Sequence, residues 1–286
     1  EDIETPKVLR IVERLTRELD IPVFHDDSKG VAVVTLAGLI NALKLAGKGM
    51  DSRIVIDGAG SAGYGIVELF HAYGLRNMVV LDSKGIIYSG RHGSNEFKEK
   101  MAGMTKGSGP GSLADAVKGA DVLIGVSTKG SFDGNLIRTM ADKPIVFALT
   151  NPDPEISYED AKSAGAFIVA TGRSDTPNQI NNSLVFPGVM RGLLDVRAKA
   201  VSDGMLLKAA TTIARLVGKE LSQEKIVPTM ADTKSSYKVA ANVAHAVAHQ
   251  AIAEGLARTT MTADQVKKHL KEQMRVYSRF EKRIPK

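Results

Sequence analysis

Apolar residues along this chain follow two different periods. Two short runs bounded by turn residues, Arg53–Asp57 (RIVID) and Met78–Asp82 (MVVLD), read as buried parallel strands. Between them, Ala62–Tyr73 places Ile66, Val67, Leu69 and Phe70 on one side at helical spacing. This gives strand, glycine turn, helix and strand in succession. The alternation continues with a helix over Leu113–Lys118 and a strand over Asp121–Gly125. It runs on through a helix over Leu136–Ala141, a strand over Pro144–Leu149, a helix over Tyr158–Ala164 and a strand over Ala166–Ala170. Such a pattern predicts an α/β fold, a Rossmann-like doubly wound parallel sheet with right-handed crossovers. After Asn182 the pattern changes to long amphipathic helices over Met205–Val217, Tyr237–Ala257 and Thr262–Phe280. Accordingly, residues 28–182 are assigned to a dinucleotide-binding domain. Residues 1–27 and 183–286 are assigned to helical segments of a partial second domain. The stretch Gly107–Ser112 is glycine-rich and reads as a connector.

Composition narrows the class without changing that picture. The 286 residues, 43% hydrophobic and 24% charged, suit one large globular domain or two ordinary ones. The chain has no cysteine, so disulfides, thiolate metal sites and a cysteine nucleophile are excluded, consistent with a cytoplasmic location. No run of about 18 uncharged apolar residues occurs, so no membrane span is expected. The first residues, EDIETPKVLR, have neither a basic nor an apolar signal region, and the absence of an initial methionine suggests sequence missing upstream. Much of the net charge of +6 sits in the tail from Lys267 to Lys286. That run reads as a solvated helix face; without a reading motif or interleaved aromatics it does not indicate nucleic-acid binding.

The candidate chemistry begins at Gly58-Ala-Gly60-Ser-Ala-Gly63, which matches GxGxxG between a strand and a helix. Gly58 permits the tight turn, Gly60 a close backbone approach to a pyrophosphate, and Gly63 close packing of helix on strand. Ser61, Ala62 and Gly63 open the helix whose N–H groups and dipole would hold the phosphates. Asp82, ending the next strand, would accept from the adenosine ribose hydroxyls, which favours NAD. Ser83 and Lys84 are positioned to receive the extra phosphate of NADP if Asp82 turns away. Ser127 follows the third strand, on the edge where open sheets bind ligands. Two acidic pairs, Glu1-Asp2 and Asp26-Asp27, supply oxygen donors suited to Mg²⁺ or Mn²⁺.

Seven motifs taken in order resemble malic enzymes: EDI at 1–3, PVFHDD at 22–27, GAGSAG at 58–63, ADVLIGVS at 120–127, NPDPEI at 151–156, ATGRSDTPNQINN at 170–182 and FPGVMRGLLDVRA at 186–198. The resemblance covers nearly the whole chain and is weakest after about Ser222. It implies oxidative decarboxylation of L-malate to pyruvate with hydride transfer to NAD or NADP, in a homodimer or larger assembly. Glu1, Asp2 and Asp27 match the family's metal ligands, and Asp26 the neighbouring acid that tunes them. Asn151 and Asn182 match asparagines lining the substrate and nicotinamide pocket, with Asn181 beside them. Arg173 reads equally as a carboxylate clamp or a structural ion pair, and His25 as structural. The family's lysine base and tyrosine acid belong to a preceding region, and no residue here matches them. Ser28-Lys29-Gly30-Val31 also departs from the family pattern, with Lys29 adding a charge near the expected ligands. Other readings in view are a malolactic enzyme, a metal-independent amino-acid dehydrogenase and a non-catalytic NAD-binding module.

Overall fold

In this computed structural model the described residues are 3–230, 233–259, 261–262, 264–265, 268–269 and 272. The expected basic helix over 262–280 falls largely outside them. Helix α1 (Lys7–Glu18) leads to a single π-helical turn at Asp26–Gly30 and then to α2 (Val31–Ala46). The sheet strands are β1 (Ile54–Asp57), β2 (Met78–Asp82), β3 (Gly85–Ile86), β4 (Val122–Gly125), β5 (Ile145–Ala148) and β6 (Ile168–Thr171). Between them run α3 (Ser61–Tyr73), α4 (Glu96–Met104), α5 (Leu113–Val117), α6 (Gly134–Arg138) and α7 (Tyr158–Ser163). A short 3₁₀ turn at Asn182–Leu184 precedes α8 (Phe186–Asp195), α9 (Asp203–Leu216) and α10 (Thr233–Ala253).

The strand order is β3-β2-β1-β4-β5-β6, as expected of a doubly wound sheet. Strands β2, β1, β4, β5 and β6 are parallel, with Ile54 in register with Met78 and Val122. The edge strand β3 runs antiparallel to β2. Only Ser83 and Lys84 join the two, and a parallel crossover needs about a dozen residues, so the chain can only turn back as a hairpin.

Alternating strand residues divide the interior into two layers. Ile54, Ile56, Ile124 and Phe147 face the larger core, which continues through α2, α3 and α8–α10. Val55, Leu123, Val146 and Val169 face the smaller one, covered by α5, α6 and α7. The helices after Asn182 therefore share a core with one face of the sheet. Helix α2 has no counterpart in the sequence reading. It is buried nearly all round, so no polar stripe marks its period. The segment Asp26–Ala46 has the length and apolarity of a bilayer-crossing helix, but 72% of that window is buried inside the fold. Asn41 pins α2 by donating to the carbonyls of Ala214 (2.9 Å) and Ile226 (2.8 Å). Helix α10 lies close on α8 because Gly188 and Gly192 lack side chains; a Cβ on Gly188 would sit 2.6 Å from Val243 Cβ.

Candidate active site

The glycine turn after β1 has the geometry its sequence implies. Gly58 has φ +126°, and a Cβ there would lie 2.4 Å from the carbonyl oxygen of Val126. A Cβ on Gly63 would lie 1.8 Å from the Gly58 carbonyl oxygen, so only glycine lets α3 begin this close to β1. Around Gly60 nothing lies within 4 Å of the missing Cβ, leaving the backbone open towards a cavity of about 660 Å³. Gly58, Gly60, Asp82 and Ser127 all line that cavity, together with Lys98 and Ser131. Ser61, Ala62 and Gly63 form the first turn of α3 at its margin. The N-terminal segment reaches the same place, since the Thr5 and Ser61 hydroxyls are hydrogen-bonded at 2.6 Å. A cradle open at Gly60, with a helix N-terminus beside it, fits a dinucleotide pyrophosphate.

Asp82 is already engaged. Arg91 donates to both its oxygens, Lys98 Nζ lies 2.6 Å from Oδ2, and the Lys84 N–H donates to Oδ1 at 2.8 Å. Burial pushes the Asp82 carboxyl up, but the hydrogen bonds from Arg91, Lys98 and Lys84 outweigh it and hold it well below the usual carboxylate range. Ser127 is held at both ends: its Oγ donates to Asp57 Oδ2 at 2.6 Å, and its N–H donates to Glu155 Oε1 at 3.0 Å. Ser131 Oγ also donates to Asp57, at 3.2 Å. Sequence reasoning missed Asp57, Arg91, Lys98, Ser131 and Glu155 as site residues. A signal existed for Asp57 alone, because it ends a strand just before the glycine turn.

On the acidic side, Glu1 and Asp2 lie outside the described residues. Asp26 is buried and accepts a hydrogen bond from Asn182 Nδ2, so the structure joins these two candidates directly. Gly30 makes room for that carboxylate, since a Cβ there would fall 2.1 Å from Asp26 Oδ1. The Asp27 side chain is 39% exposed and lies 3.5 Å from Nε2 of the buried His25. Burial lowers the His25 pKa against the opposing pull of Asp27. Among the described residues no three His, Cys, Asp or Glu side chains converge as a metal site. Asp27 is therefore the one described member of the expected ligand set; as a hard oxygen donor reaching solvent it suits Mg²⁺ or Mn²⁺. Asn151 is exposed in the loop after β5, where its amide packs on Gly172. Arg173 forms an exposed ion pair with Asp175, with Nε to Oδ1 at 2.8 Å. Lys29 lines a separate cavity of about 290 Å³ with Tyr64 and Glu68, between α1 and α3.

Together the sheet order and the glycine cradle define a dinucleotide-binding protein of the Rossmann class. A family model described as "Malic enzyme, NAD binding domain" matches residues 28–252, and the chain belongs to the malic enzyme family. It is 48% identical over 270 residues to a protein of Bacillus subtilis (strain 168) named "Bifunctional malic/malolactic enzyme", covering 93% of this chain and 65% of that one. It is 46% identical over 230 residues to the "NADP-dependent malic enzyme" of Halomonas elongata, covering 79% of this chain and 53% of that one. Among solved structures, the malic enzyme from Pyrococcus horikoshii Ot3 superposes with a TM-score of 0.91 at 42% identity, covering 97% of this chain and 66% of that one. The chain thus spans between a half and two thirds of the length of these relatives.

Proposed function

We propose that this chain forms the dinucleotide- and metal-binding part of an enzyme that oxidises L-malate and releases CO₂, giving pyruvate. The observation that carries this reading is the Asp26–Asn182 contact. It brings the acidic segment onto the turn that leaves the carboxyl edge of the sheet, on the same edge as the glycine cradle. The Gly60 backbone and the first turn of α3 receive the pyrophosphate. Asp82 accepts from the adenosine ribose once Lys98 leaves its Oδ2, which favours NAD; Lys98, a cation in the same cavity, supports NADP as the second reading. Asp27, with Glu1 and Asp2, would hold Mg²⁺ or Mn²⁺, which when bound supplies Lewis-acid polarisation of the substrate's hydroxyl and carboxylate oxygens. Asp26, held by Asn182, positions its neighbour Asp27.

The test is to mix the chain with L-malate, Mn²⁺ and NAD or NADP, with a chelated control, and to follow reduced nicotinamide by absorbance. Metal-dependent reduction is the supporting outcome. Because no residue here matches the family's lysine base and tyrosine acid, the assay is repeated with that preceding region supplied; retained NADH binding with no reduction even then would refute the reading. The similarity to a bifunctional malic/malolactic enzyme also favours a malolactic reading; lactate in place of pyruvate and reduced cofactor would establish it.

A further inference from the structure

Glu155 sits in the loop after β5, is fully buried, and does not itself line the dinucleotide cavity. Burying a carboxyl group is costly unless its oxygens are satisfied, and here both are. Oε1 accepts from the Ser127 N–H at 3.0 Å and from the Thr150 hydroxyl; Oε2 accepts from the Thr150 N–H at 3.2 Å. The donors come from the chain leaving two adjacent strands, β4 and β5. Backbone bonds reinforce the junction, with Phe132 N–H donating to the Glu155 carbonyl at 3.2 Å. The last residue of β4, Gly125, has no side chain where one would collide: a Cβ there would lie 2.4 Å from Glu155 Cδ. Two separate stretches, GVS and NPDPE, are thus fitted to each other through one carboxyl group.

We propose that Glu155 is a positioning residue that holds the ends of β4 and β5 as the floor of the nicotinamide half of the site. Ser127, which it fixes, lines the dinucleotide cavity and donates in turn to Asp57. In this sheet order β2, bearing Asp82, serves the adenosine half, whereas β4 and β5 serve the other mononucleotide. An apolar side chain would fill the space but leave the three donors without acceptors. The inference rests on the dinucleotide reading of the site given above.

The experiment compares NADH with ADP, which carries only the adenosine half, by calorimetry on the chain and two variants. Glu155→Gln keeps the shape but turns one acceptor into a donor facing the Thr150 N–H. Gly125→Ala keeps the carboxyl group but displaces it. Each variant is expected to raise the NADH Kd by about tenfold and to leave the ADP Kd within about twofold. With Glu155→Ala as background, Gly125→Ala is expected to add nothing, because the space it needs is then vacant. Unchanged NADH affinity in both variants, or parallel loss of ADP and NADH, overturns the proposal. Failure of the unaltered chain to bind NADH would instead refute the dinucleotide reading, and the proposal with it.

Discussion

Replacing Lys98 with methionine tests how the adenosine end of the cavity distinguishes NAD from NADP. Two cations converge on Asp82. Arg91 is committed to the fold: it is 9% exposed and also donates to the carbonyls of Gly85 (3.1 Å) and Ile86 (3.3 Å). Lys98, with 23% of its side chain exposed, lines the cavity and is the cation able to turn towards a phosphate. Methionine keeps an apolar stem and removes the charge. A charge-assisted hydrogen bond contributes about 1.5–3 kcal/mol, and partial exposure argues for the low end, so NADPH affinity should fall by roughly 10- to 30-fold. NADH loses no phosphate contact, and Asp82 is relieved of a competitor for the ribose hydroxyls, a gain of at most about 1 kcal/mol. Fluorescence titration with both reduced cofactors should therefore show the Kd ratio moving towards NADH by about 10- to 100-fold. The titration needs no turnover. A ratio shifted by less than about twofold, or shifted towards NADPH, would refute the electrostatic argument.

Three further outcomes follow from the same geometry. Gly63→Ala drives a Cβ to within 1.8 Å of the Gly58 carbonyl oxygen, so the cradle must open; NADH affinity should drop by about a hundredfold, and affinity within about threefold of the unaltered chain would contradict the packing. Burial pushes the Glu68 carboxyl up, despite the hydrogen bond from Tyr64. A raised folded value means its contribution to stability is complete below the unfolded value of about 4.3 and is lost as pH rises through the folded one. Glu68→Gln should therefore raise the melting temperature relative to the unaltered chain more at pH about 8 than at about 4; a difference that does not change with pH would count against it. Asn178 has φ 58°, donates to Val169 O at 2.9 Å and Gln223 O at 2.6 Å, and accepts from Ile226 N at 2.9 Å. Asn178→Ala should cost about 3 kcal/mol or more in denaturant unfolding, with Asn178→Gly recovering about 1 kcal/mol of backbone strain.

What the sequence determined by itself was local. The buried parallel strands were legible because their apolar runs are short and bounded by turn residues, and the cradle because Gly58, Gly60 and Gly63 each answer a backbone requirement within six residues. Tertiary structure decided the rest. Helix α2 was invisible to periodicity because it is surrounded by core on nearly every side. The antiparallel β3 follows from a two-residue link rather than from any apolar pattern. Asp82 was legible as a strand end, but its partners Arg91 and Lys98 were not, since a folded loop and the start of α4 carry them to it. Asp26 and Asn182 meet across 156 residues, and Glu155 reaches Ser127 across 28. Local sequence fixes the dihedrals of a turn or the period of a strand. Which acceptor finds which donor at that range depends on how the layers pack.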